Sequence, residues 1–472
     1  MRIYALFILV AALAIYAWRD WFKSLCGLIL LMAVIEHEDM PKSIMGVQGL
    51  NSWNILFVTV FLAWLISRRR EGLKWDMPQH INVLLILYLL VIIIGVIRAA
   101  LDRSHIENYP LKSLISEEFF NTIKWTIPGV LLFDGCRTRK RLLLAIVCIL
   151  GMYFFIALQV VRRVPWSWAL AGGGKAMERA RIRHCSRIGY SACDISTFLA
   201  GAFWAMLAAL ILVRQKRYKI LLLGAAGIVA FGQALTGGRA GYAAWVLTGL
   251  ILGLFKWRKY LILIPAAIII IYFAFPGVFQ RVLTGFGEKD VTGQEVINQY
   301  ELTSGRAQIW PYVIDKIEES PVVGYGRLAM RRTGLTEYLG AKFGRSEAFP
   351  HPHNLYLETM LDNGILGALP IFIFFIVVIS YSARLFRDAN PWFSAIGGLS
   401  LSMVLAQLIG GIGSQHYYPR ESTLGMWASI FLMFRVSIEY SRLLHVSRMH
   451  AYVHNSSAIS SRMAVSSLTV ER

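Results

Sequence analysis

Three short segments carry side chains that could act together on an anionic substrate. Thr236-Gly237-Gly238-Arg239 places an arginine in a tight turn between two apolar runs. Arg306 lies in the first turn of a predicted helix, with Ser304 at its N-cap position, and His353 lies at the start of another predicted helix. An arginine can hold a phosphate with two parallel hydrogen bonds, and a helix N-terminus adds backbone N–H donors. Histidine, with an unperturbed pKa of about 6.5, is a suitable general base.

Each of the three segments also has an ordinary structural explanation. Arg239 could be an interfacial arginine that extends its head group to water, and Arg306 could be a solvated surface residue. His351 and His353 could bind a metal, but the proline between them and the lack of a nearby Cys or Asp set make a poor zinc pattern. We therefore predict no metal site and no cofactor, and we expect His353 to act as a base.

A second group of residues could contact the substrate around these three. Arg420 could bind an anion or could equally pair with its neighbour Glu421. Trp310 could stack on a sugar, although interfacial aromatic residues are more often membrane anchors. The predicted substrate-binding set is Arg281, Trp310, His351, Asn354 and Arg420. Weaker candidates are the other cations of the long loop, Lys289, Arg327, Arg331, Arg332 and Lys342.

These residues must be positioned by a very apolar chain. Of its 472 residues, 56% are hydrophobic and only 16% are charged, whereas an average soluble protein is about 25% charged. With a mean hydropathy of +0.54, the chain has too few charged groups to cover a globule of this size. The composition excludes a soluble enzyme, a disordered chain and a small disulfide-rich domain.

Apolar runs long enough to cross a bilayer recur along the chain. A spanning helix needs roughly 20 predominantly apolar residues, and by this criterion we predict about 12 or 13 spans. The predicted fold class is therefore an all-α polytopic membrane protein. The clearest runs are Ile81–Ile97, Leu142–Val161, Thr197–Val213, Ile220–Leu235, Ala240–Phe255, Tyr260–Phe275, Leu355–Ser380, Ile396–Gly413 and Leu424–Ile438, and the weaker ones are Ile3–Trp18, Phe22–Ile35, Trp53–Ile66 and Thr122–Phe133.

Membrane topology explains much of the excess of basic residues. The chain has 48 Lys and Arg against 28 Asp and Glu, which gives a net charge of +20. Basic clusters recur at every second connection, as expected for connections that face the cytoplasm. We therefore predict no nucleic-acid partner. The clusters lie within 68–74, 137–141, 214–219, 256–259, 384–387 and the tail after Ile438.

One predicted outward segment, 162–194, breaks this pattern because it carries seven Lys and Arg against Glu178 and Asp194. Either a span is miscounted there, or the segment forms an external basic patch for an anionic partner. The glycine run 172–174 is predicted to be a hinge. Cys185 and Cys193 could form a disulfide in an oxidising compartment, a pairing that the sequence leaves open.

The long predicted loop 276–354 interrupts an otherwise compact bundle. Long loops in compact folds are usually functional or disordered, and helical spacing around 306–319 indicates that this one is ordered in part. The predicted organisation is N-terminal transmembrane helices 1–200, central transmembrane helices with the Arg239 turn 201–275, a periplasmic loop 276–354, C-terminal transmembrane helices 355–440 and a cytoplasmic polar tail 441–472.

Together, and in this order, the motifs resemble the O-antigen ligase/polymerase superfamily of bacterial inner-membrane glycosyltransferases. The resemblance covers about residues 220–435, whereas 1–200 match only as hydrophobic spans. Beside the Arg239 turn, it rests on Ser304-Gly305-Arg306 with Trp310, Gly324-Tyr325-Gly326, His353-Asn354 with Glu358, and Gly364-Ile365-Leu366-Gly367. The resemblance implies that Arg239 and Arg306 hold the diphosphate of a polyprenyl-diphosphate-linked glycan donor and that His353 is the catalytic histidine.

The resemblance also implies a multi-pass protein of the bacterial inner membrane, with an active site that faces the periplasm and a donor tail among membrane lipids. The glycan would pass to a hydroxyl of a lipid, glycan or protein acceptor by an inverting displacement without a metal. The shared motifs do not separate a ligase from a polymerase, and we favour polymerase-type assembly of O-antigen or exopolysaccharide. The alternatives are a bicarbonate-type solute transporter and a scaffold. Most predicted spans lack the midplane ionisable residues that a transporter needs, which favours an enzyme.

Overall fold

The computed structural model describes residues 2–44, 46–47, 49–171, 175–284, 288–289, 295–296, 303, 305–344, 349–413 and 417–445. The side chains of 175–179 are outside this description. Three features named above also lie outside the described residues, namely the glycine run 172–174, Ser304 and the tail from 446 onwards.

Helices make up most of the described chain, in agreement with the predicted all-α class. The only strands among the described residues form a two-residue antiparallel pair, Glu288–Lys289 with Glu295–Val296. A π-helical segment spans Ile115–Phe120, and 3-10 segments span Leu210–Leu212, Arg258–Leu263 and Glu421–Thr423. In chain order the α-helices are α1 Arg2–Ala17, α2 Trp21–Ile35, α3 Ser52–Arg70, α4 Gln79–Leu101, α5 Leu111–Leu114, α6 Asn121–Ile123, α7 Ile127–Gly135, α8 Arg139–Arg163, α9 Ser167–Ala171, α10 Lys175–Ile188, α11 Ala192–Ala209, α12 Lys216–Thr236, α13 Arg239–Phe255, α14 Ile264–Ala274, α15 Pro276–Leu283, α16 Arg306–Glu319, α17 Ala329–Arg332, α18 Leu335–Lys342, α19 Leu355–Arg387, α20 Pro391–Gly410 and α21 424–445.

The protein is a multi-pass membrane protein, and within its described residues fewer helices are long and apolar enough to span a membrane than the 12 or 13 spans expected. Within the described ranges, six helices are long and apolar enough to cross a membrane, namely α4, α8, α11 with its 3-10 extension, α12, α19 and α20. A seventh span results if Arg258–Ala274 and Pro276–Leu283, which are bent by 105° at their junction, count as one. The apolar helices α1, α2 and α13 have only 16, 15 and 17 residues. At about 1.5 Å per residue they fall short of the roughly 30 Å hydrocarbon core.

Helix α11 lies at the centre of the bundle and packs against α12, α13 and α20. Small residues allow these helices to approach closely. A Cβ built on Gly201 of α11 would lie 3.1 Å from the Cβ of Ala406 in α20, and one on Gly398 of α20 would lie 2.5 Å from the Cβ of Ala208. Close approach through glycine and alanine is the usual basis of helix packing in membranes, where dispersion contacts replace the hydrophobic effect.

The basic connections and the Arg239 turn lie at opposite ends of the same helices. Helix α12 runs from the cluster 214–219 to Thr236, and α13 runs from Arg239 back to the cluster 256–259. Helix α19 likewise begins just after His353 and ends at the cluster 384–387. At that far end, Lys256 donates to the carbonyl of Asp388 at 2.7 Å, so two of the clusters meet there. The Arg239 turn and His353 therefore lie at the ends of these helices opposite to the clusters.

Helix α19 is broken at Gly364, and the long loop fills the break. Gly364 adopts φ 58° and ψ −168°, a conformation that side chains other than glycine rarely adopt. The backbone N–H of Tyr325 donates to the carbonyl of Leu361 at 2.9 Å, and the N–H of Ile365 donates to that of Pro321 at 2.9 Å. A broken membrane helix must satisfy its freed backbone groups within the protein, and the turn Pro321–Gly326 does so here.

Three arginines fasten the same loop to the rest of the bundle. Arg98, at the end of α4, donates to the carbonyl of Gly324 at 2.7 Å. Arg332 pairs with Asp102 at 2.6 Å, and the backbone N–H of Arg327 donates to the carbonyl of Gly95 at 3.0 Å. The long loop is thus packed onto the bundle over its second half, from α16 to the start of α19.

Candidate active site

The Arg239 turn, Thr236-Gly237-Gly238-Arg239, is set in a tightly packed position. Gly237 ends α12 with φ 62°, and α13 begins at Arg239. A Cβ built on Gly238 would lie 2.7 Å from the Cβ of Ser196 in α11, whose hydroxyl also donates to the carbonyl of Gly238 at 3.1 Å. The glycines therefore allow the turn to lie directly against α11, and this packing fixes where Arg239 leaves the helix.

Three arginine side chains from different elements converge on this turn. Arg239 donates to the carbonyl of Thr284 at 3.0 Å, and Arg281 of α15 donates to the carbonyl of Gly237 at 3.4 Å. Arg181 of α10 donates to the carbonyl of Thr236 at 2.5 Å and is almost fully buried. The sequence predicted roles for Arg239 and Arg281, but it did not single out Arg181. The signal was the basic excess of segment 162–194, which this helix brings to the turn.

Arg306 begins α16, as predicted, and approaches the start of α13. The N-cap position is occupied by Gly305 rather than by the predicted Ser304, and the hydroxyl of Thr303 accepts a hydrogen bond from the backbone N–H of Ala307 at 3.0 Å. Nη1 of Arg306 and the Cβ of Ala240 each lie 3.0 Å from the position of a Cβ built on Gly413. The guanidinium of Arg306 is therefore close to the first turn of the helix that Arg239 begins.

The His351-Pro352-His353 turn is held by two neighbouring elements. The indole Nε1 of Trp310 in α16 donates to the carbonyl of Pro352 at 3.0 Å. The backbone N–H of Leu355 donates to the carbonyl of Gly411 at 2.9 Å, which ties the start of α19 to the end of α20. His353 itself has φ 50°, in the left-handed region that is costly for residues other than glycine. The rest of the turn must therefore stabilise this backbone conformation.

The two histidines of this turn are close together and weakly basic. Their ring centroids lie 4.1 Å apart at an interplanar angle of 78°. Burial and, second, the positive charge of Arg306 lower the pKa of His353 to about 4. Burial, the neighbouring His353 and the charge of Arg420 lower the pKa of His351 to about 3. Burial contributes more to the lowered pKa of His353 than the charge of Arg306 does. Both rings are neutral at pH 7, as a general base must be.

The remaining predicted substrate-binding residues have structural partners. The side-chain oxygen of Asn354 caps α19 by accepting from the backbone N–H groups of Tyr356 and Leu357 at 3.0 and 3.2 Å. Arg420 pairs with Glu421 at 3.5 Å, the alternative that its sequence left open. Trp310 positions the histidine turn through its indole nitrogen. These contacts leave a substrate role for the three residues untested.

Arg327 and Arg332, weaker candidates for phosphate contacts, instead pair with carboxylates. Arg332 pairs with Asp102, and buried Arg327 pairs with Glu118 at 2.7 Å and with Asp362 at 3.4 Å. Its guanidinium carbon also lies 3.5 Å from the centroid of the Tyr418 ring. Burial alone would lower the pKa of Arg327, but Glu118 and the other neighbouring anions raise it above its ordinary value. Arg327 is therefore a fixed cation whose charge is already balanced.

Two sequence expectations concern metals and cysteines. Among the described residues, no group of three or more His, Cys, Asp or Glu side chains is arranged to hold a metal ion. All five cysteines are free thiols, so the disulfide that the sequence left open between Cys185 and Cys193 is absent from the structure.

Comparison with known proteins agrees with the motifs. Residues 224–372, which include the Arg239 turn, α16 and His353, match the family model described as O-Antigen ligase. A protein of Rickettsia conorii (strain ATCC VR-613 / Malish 7) named "Putative polysaccharide ligase" is 30% identical over 115 residues, which are 23% of this chain. The match covers 27% of the length of that relative. Similarity to the family described as O-Antigen ligase is therefore found over residues 224–372.

Proposed function

We propose that the protein is a glycosyltransferase of the bacterial inner membrane that moves a glycan from a polyprenyl-diphosphate donor to an acceptor hydroxyl at the periplasmic face. The bond from the anomeric carbon to the diphosphate oxygen breaks while the acceptor oxygen bonds to the same carbon. The acceptor proton passes to a ring nitrogen of His353, and polyprenyl diphosphate leaves with the bonding electron pair. A single displacement of this kind inverts the anomeric configuration.

The arginines are suited to the charge that develops on the leaving group. Arg239 and Arg281 lie at the Arg239 turn, and Arg306 lies close to the first turn of α13. Each guanidinium can place two parallel N–H donors on a phosphate, and such preorganised donors act most strongly away from bulk water. Arg181, buried against the carbonyl of Thr236, adds positive charge behind the turn.

His353 is suited to the role of base. Its pKa of about 4 keeps the ring neutral at pH 7, so the ring nitrogen can accept a proton, although as a weaker base than an ordinary histidine. A base of this kind typically contributes about 10²–10⁴-fold to the rate. Its ring is aligned by a turn that Trp310 and Leu355 fasten on either side. These contacts support a positioned base rather than a freely rotating surface histidine.

The observation that carries the proposal is the position of Arg306, whose charge acts on His353 and whose guanidinium lies near the start of α13. Arg306 lowers the pKa of His353, and its guanidinium also approaches the helix that begins with Arg239. One donor diphosphate could therefore contact the arginines while its glycan lies near the base. The match of residues 224–372 to the family described as O-Antigen ligase supports the same chemistry.

The main alternative is a solute transporter, in which a broken helix commonly lines the transport path. The break at Gly364 is instead filled by the loop turn Pro321–Gly326, whose backbone pairs with that of Leu361 and Ile365. This packing favours an enzyme. Among enzymes, the shared motifs do not separate polymerase-type assembly from ligation, and both matches are named for ligases.

The proposed activity is tested with purified full-length protein in lipid nanodiscs and a polyprenyl-diphosphate-linked glycan. We expect the glycan to appear on an acceptor with inverted anomeric configuration, at the same rate with and without EDTA. Loss of transfer in EDTA that added Mg²⁺ restores would contradict the metal-independent mechanism. Retained configuration would contradict the single displacement, and the absence of any transfer would contradict the enzyme.

A further inference from the structure

A cavity of about 250 Å³ opens beside the histidine turn. It lies between the long loop, the first turns of α19 and the π-helical segment. His351 and Pro352 form part of its wall, and the charged residues of its lining are Glu117, Glu118, Arg327, Arg331, Glu358 and Asp362. Small-ligand pockets usually measure about 300–1,000 Å³. This cavity is slightly smaller than that range, and its size suits about one sugar ring.

The charge of the cavity is opposite in sign to that of the arginine site. Its lining has four acidic side chains against two guanidiniums, and Arg327 already pairs with three of those acidic residues. Four arginines, by contrast, lie around the Arg239 turn and at the start of α16, namely Arg181, Arg239, Arg281 and Arg306. A phosphate or an acidic sugar would be repelled from the cavity and attracted to the arginines.

The two sites meet at the histidine pair. His351 lines the cavity, and its ring lies 4.1 Å from that of His353, on which the charge of Arg306 also acts. A sugar in the cavity would therefore contact His351, the neighbour of the proposed base, while the donor occupies the arginines.

The cavity also offers hydrogen bonds that suit a polyhydroxylated ligand. Carboxylates accept hydrogen bonds from sugar hydroxyls or from an amino group. Glu117 accepts a hydrogen bond from the hydroxyl of Tyr109 at 2.6 Å and is otherwise exposed at the mouth. Within the described part of the chain, the buried Nε of Arg327 has no hydrogen-bond partner.

We propose that this cavity binds the acceptor sugar and selects a neutral or amino-bearing sugar over one that carries a carboxylate or phosphate. The inference rests on the proposed transferase function, because it assigns the second substrate of that reaction. It favours acceptors whose terminal residue is uncharged or cationic. An acceptor with a phosphorylated or uronic terminal sugar would be a poor substrate.

The test measures sugar binding to full-length protein in phosphatidylcholine nanodiscs by calorimetry. The probes are the β-1,4-linked disaccharides of glucosamine and of N-acetylglucosamine and the disaccharide of galacturonic acid. Saturating farnesyl diphosphate is present throughout, so that the arginines are occupied. We expect the glucosamine disaccharide to bind about tenfold or more tightly than the galacturonic acid disaccharide, because unlike charges attract and like charges repel at the site.

Two variants with the same change in charge show whether the preference between the two disaccharides depends on the cavity. Glu117→Lys should reduce the preference by about fivefold or more. Glu318→Lys, on the exposed end of α16 and outside the cavity, should leave the preference unchanged. Glu117→Gln keeps an acceptor for Tyr109 and should give an intermediate preference, which guards against misfolding of the lysine variant.

Three outcomes would overturn the inference. They are equal or tighter binding of the galacturonic acid disaccharide, the same change in preference in Glu117→Lys and Glu318→Lys, and no binding of any probe. A failure of the proposed function would be seen in a different measurement. In that case farnesyl diphosphate would bind wild-type protein and Arg239→Lys equally, whatever the sugar preference.

Discussion

The indole Nε1 of Trp310 donates a hydrogen bond of 3.0 Å to the carbonyl oxygen of Pro352. Trp310 lies on the same helix, α16, as Arg306, and Pro352 immediately precedes His353. This single bond therefore joins the helix that carries a proposed phosphate-binding arginine to the turn that carries the proposed base. Trp310 is a positioning residue in this account, although the sequence suggested a stacking role.

Trp310→Phe keeps an aromatic ring but removes the indole donor. We expect kcat to fall on the order of tenfold to hundredfold, because small misplacements of a catalytic group cost about that much. The KM for the lipid-linked donor should change little, since the arginines are untouched. Trp166→Phe is the matched control, because its indole also donates to a backbone carbonyl, that of Val161, at 2.7 Å. Equal kcat values for the two variants would remove the positioning role.

Arg239→Lys keeps the charge but loses the planar pair of donors. If Arg239 holds the diphosphate, the rate of transfer should fall by about 10²–10³-fold, as for other groups that stabilise transition-state charge. Arg258→Lys is the control, because Arg258 lies just beyond the opposite end of α13 and donates to the carbonyl of Leu254 at 2.9 Å. Wild-type transfer rates in Arg239→Lys would make Arg239 an ordinary interfacial arginine.

Gly237→Ala should destabilise the protein and disturb the arginine site. Gly237 has φ 62°, and its added Cβ would lie 2.8 Å from Nε of Arg181 and 2.9 Å from Cη2 of Trp168. The left-handed conformation alone costs about 1–2 kcal/mol for a residue with a Cβ. We expect a lower Tm in detergent and weaker binding of farnesyl diphosphate. Gly227→Ala in the same helix has no atom within 4 Å of the added Cβ and should show neither change.

The two weakly basic histidines predict a pH dependence of stability. In the unfolded chain both titrate near about 6.5, whereas in the folded protein His351 and His353 titrate at about 3 and 4. The unfolded state therefore binds more protons between these values, and the free energy of unfolding decreases as the pH falls from about 6.5 towards 3. The Tm should drop between pH 7 and pH 5 in wild type, and it should drop less in the His351→Gln/His353→Gln double variant. An equal drop in both proteins would contradict the lowered pKa values.

The amino-acid sequence was sufficient for features that depend on local patterns. Periodicity and composition predicted an all-α membrane protein and the helix that begins at Arg306. The count of spans was less reliable, because hydropathy alone cannot show that α1 and α2 end after 16 and 15 residues. Nor can it show that Arg258–Ala274 bends by 105° into the next helix.

Long-range contacts were beyond the sequence. The sequence could not show whether Arg327 pairs with a phosphate or with a carboxylate. Its partner Glu118 lies more than 200 positions away in the chain, and only the fold brings the two side chains within 2.7 Å of each other. For the same reason Arg181 remained one cation among seven in its segment. A signal was present in the pair Glu117 and Glu118, two acidic residues in a stretch between apolar runs, but their partners depend on the docking of the long loop.

The most direct test of the central claim is the transfer rate of His353→Gln at pH 7. With His353 as the base, the rate from a polyprenyl-diphosphate-linked glycan should fall by about 10²–10⁴-fold, while binding of farnesyl diphosphate stays within about twofold of wild type. His105→Gln is the matched control, because His105 also has a positive φ, 59°, and pairs with Glu337 away from the arginines. It should keep the wild-type rate. Transfer by His353→Gln at the wild-type rate would contradict the assignment of His353 as the base.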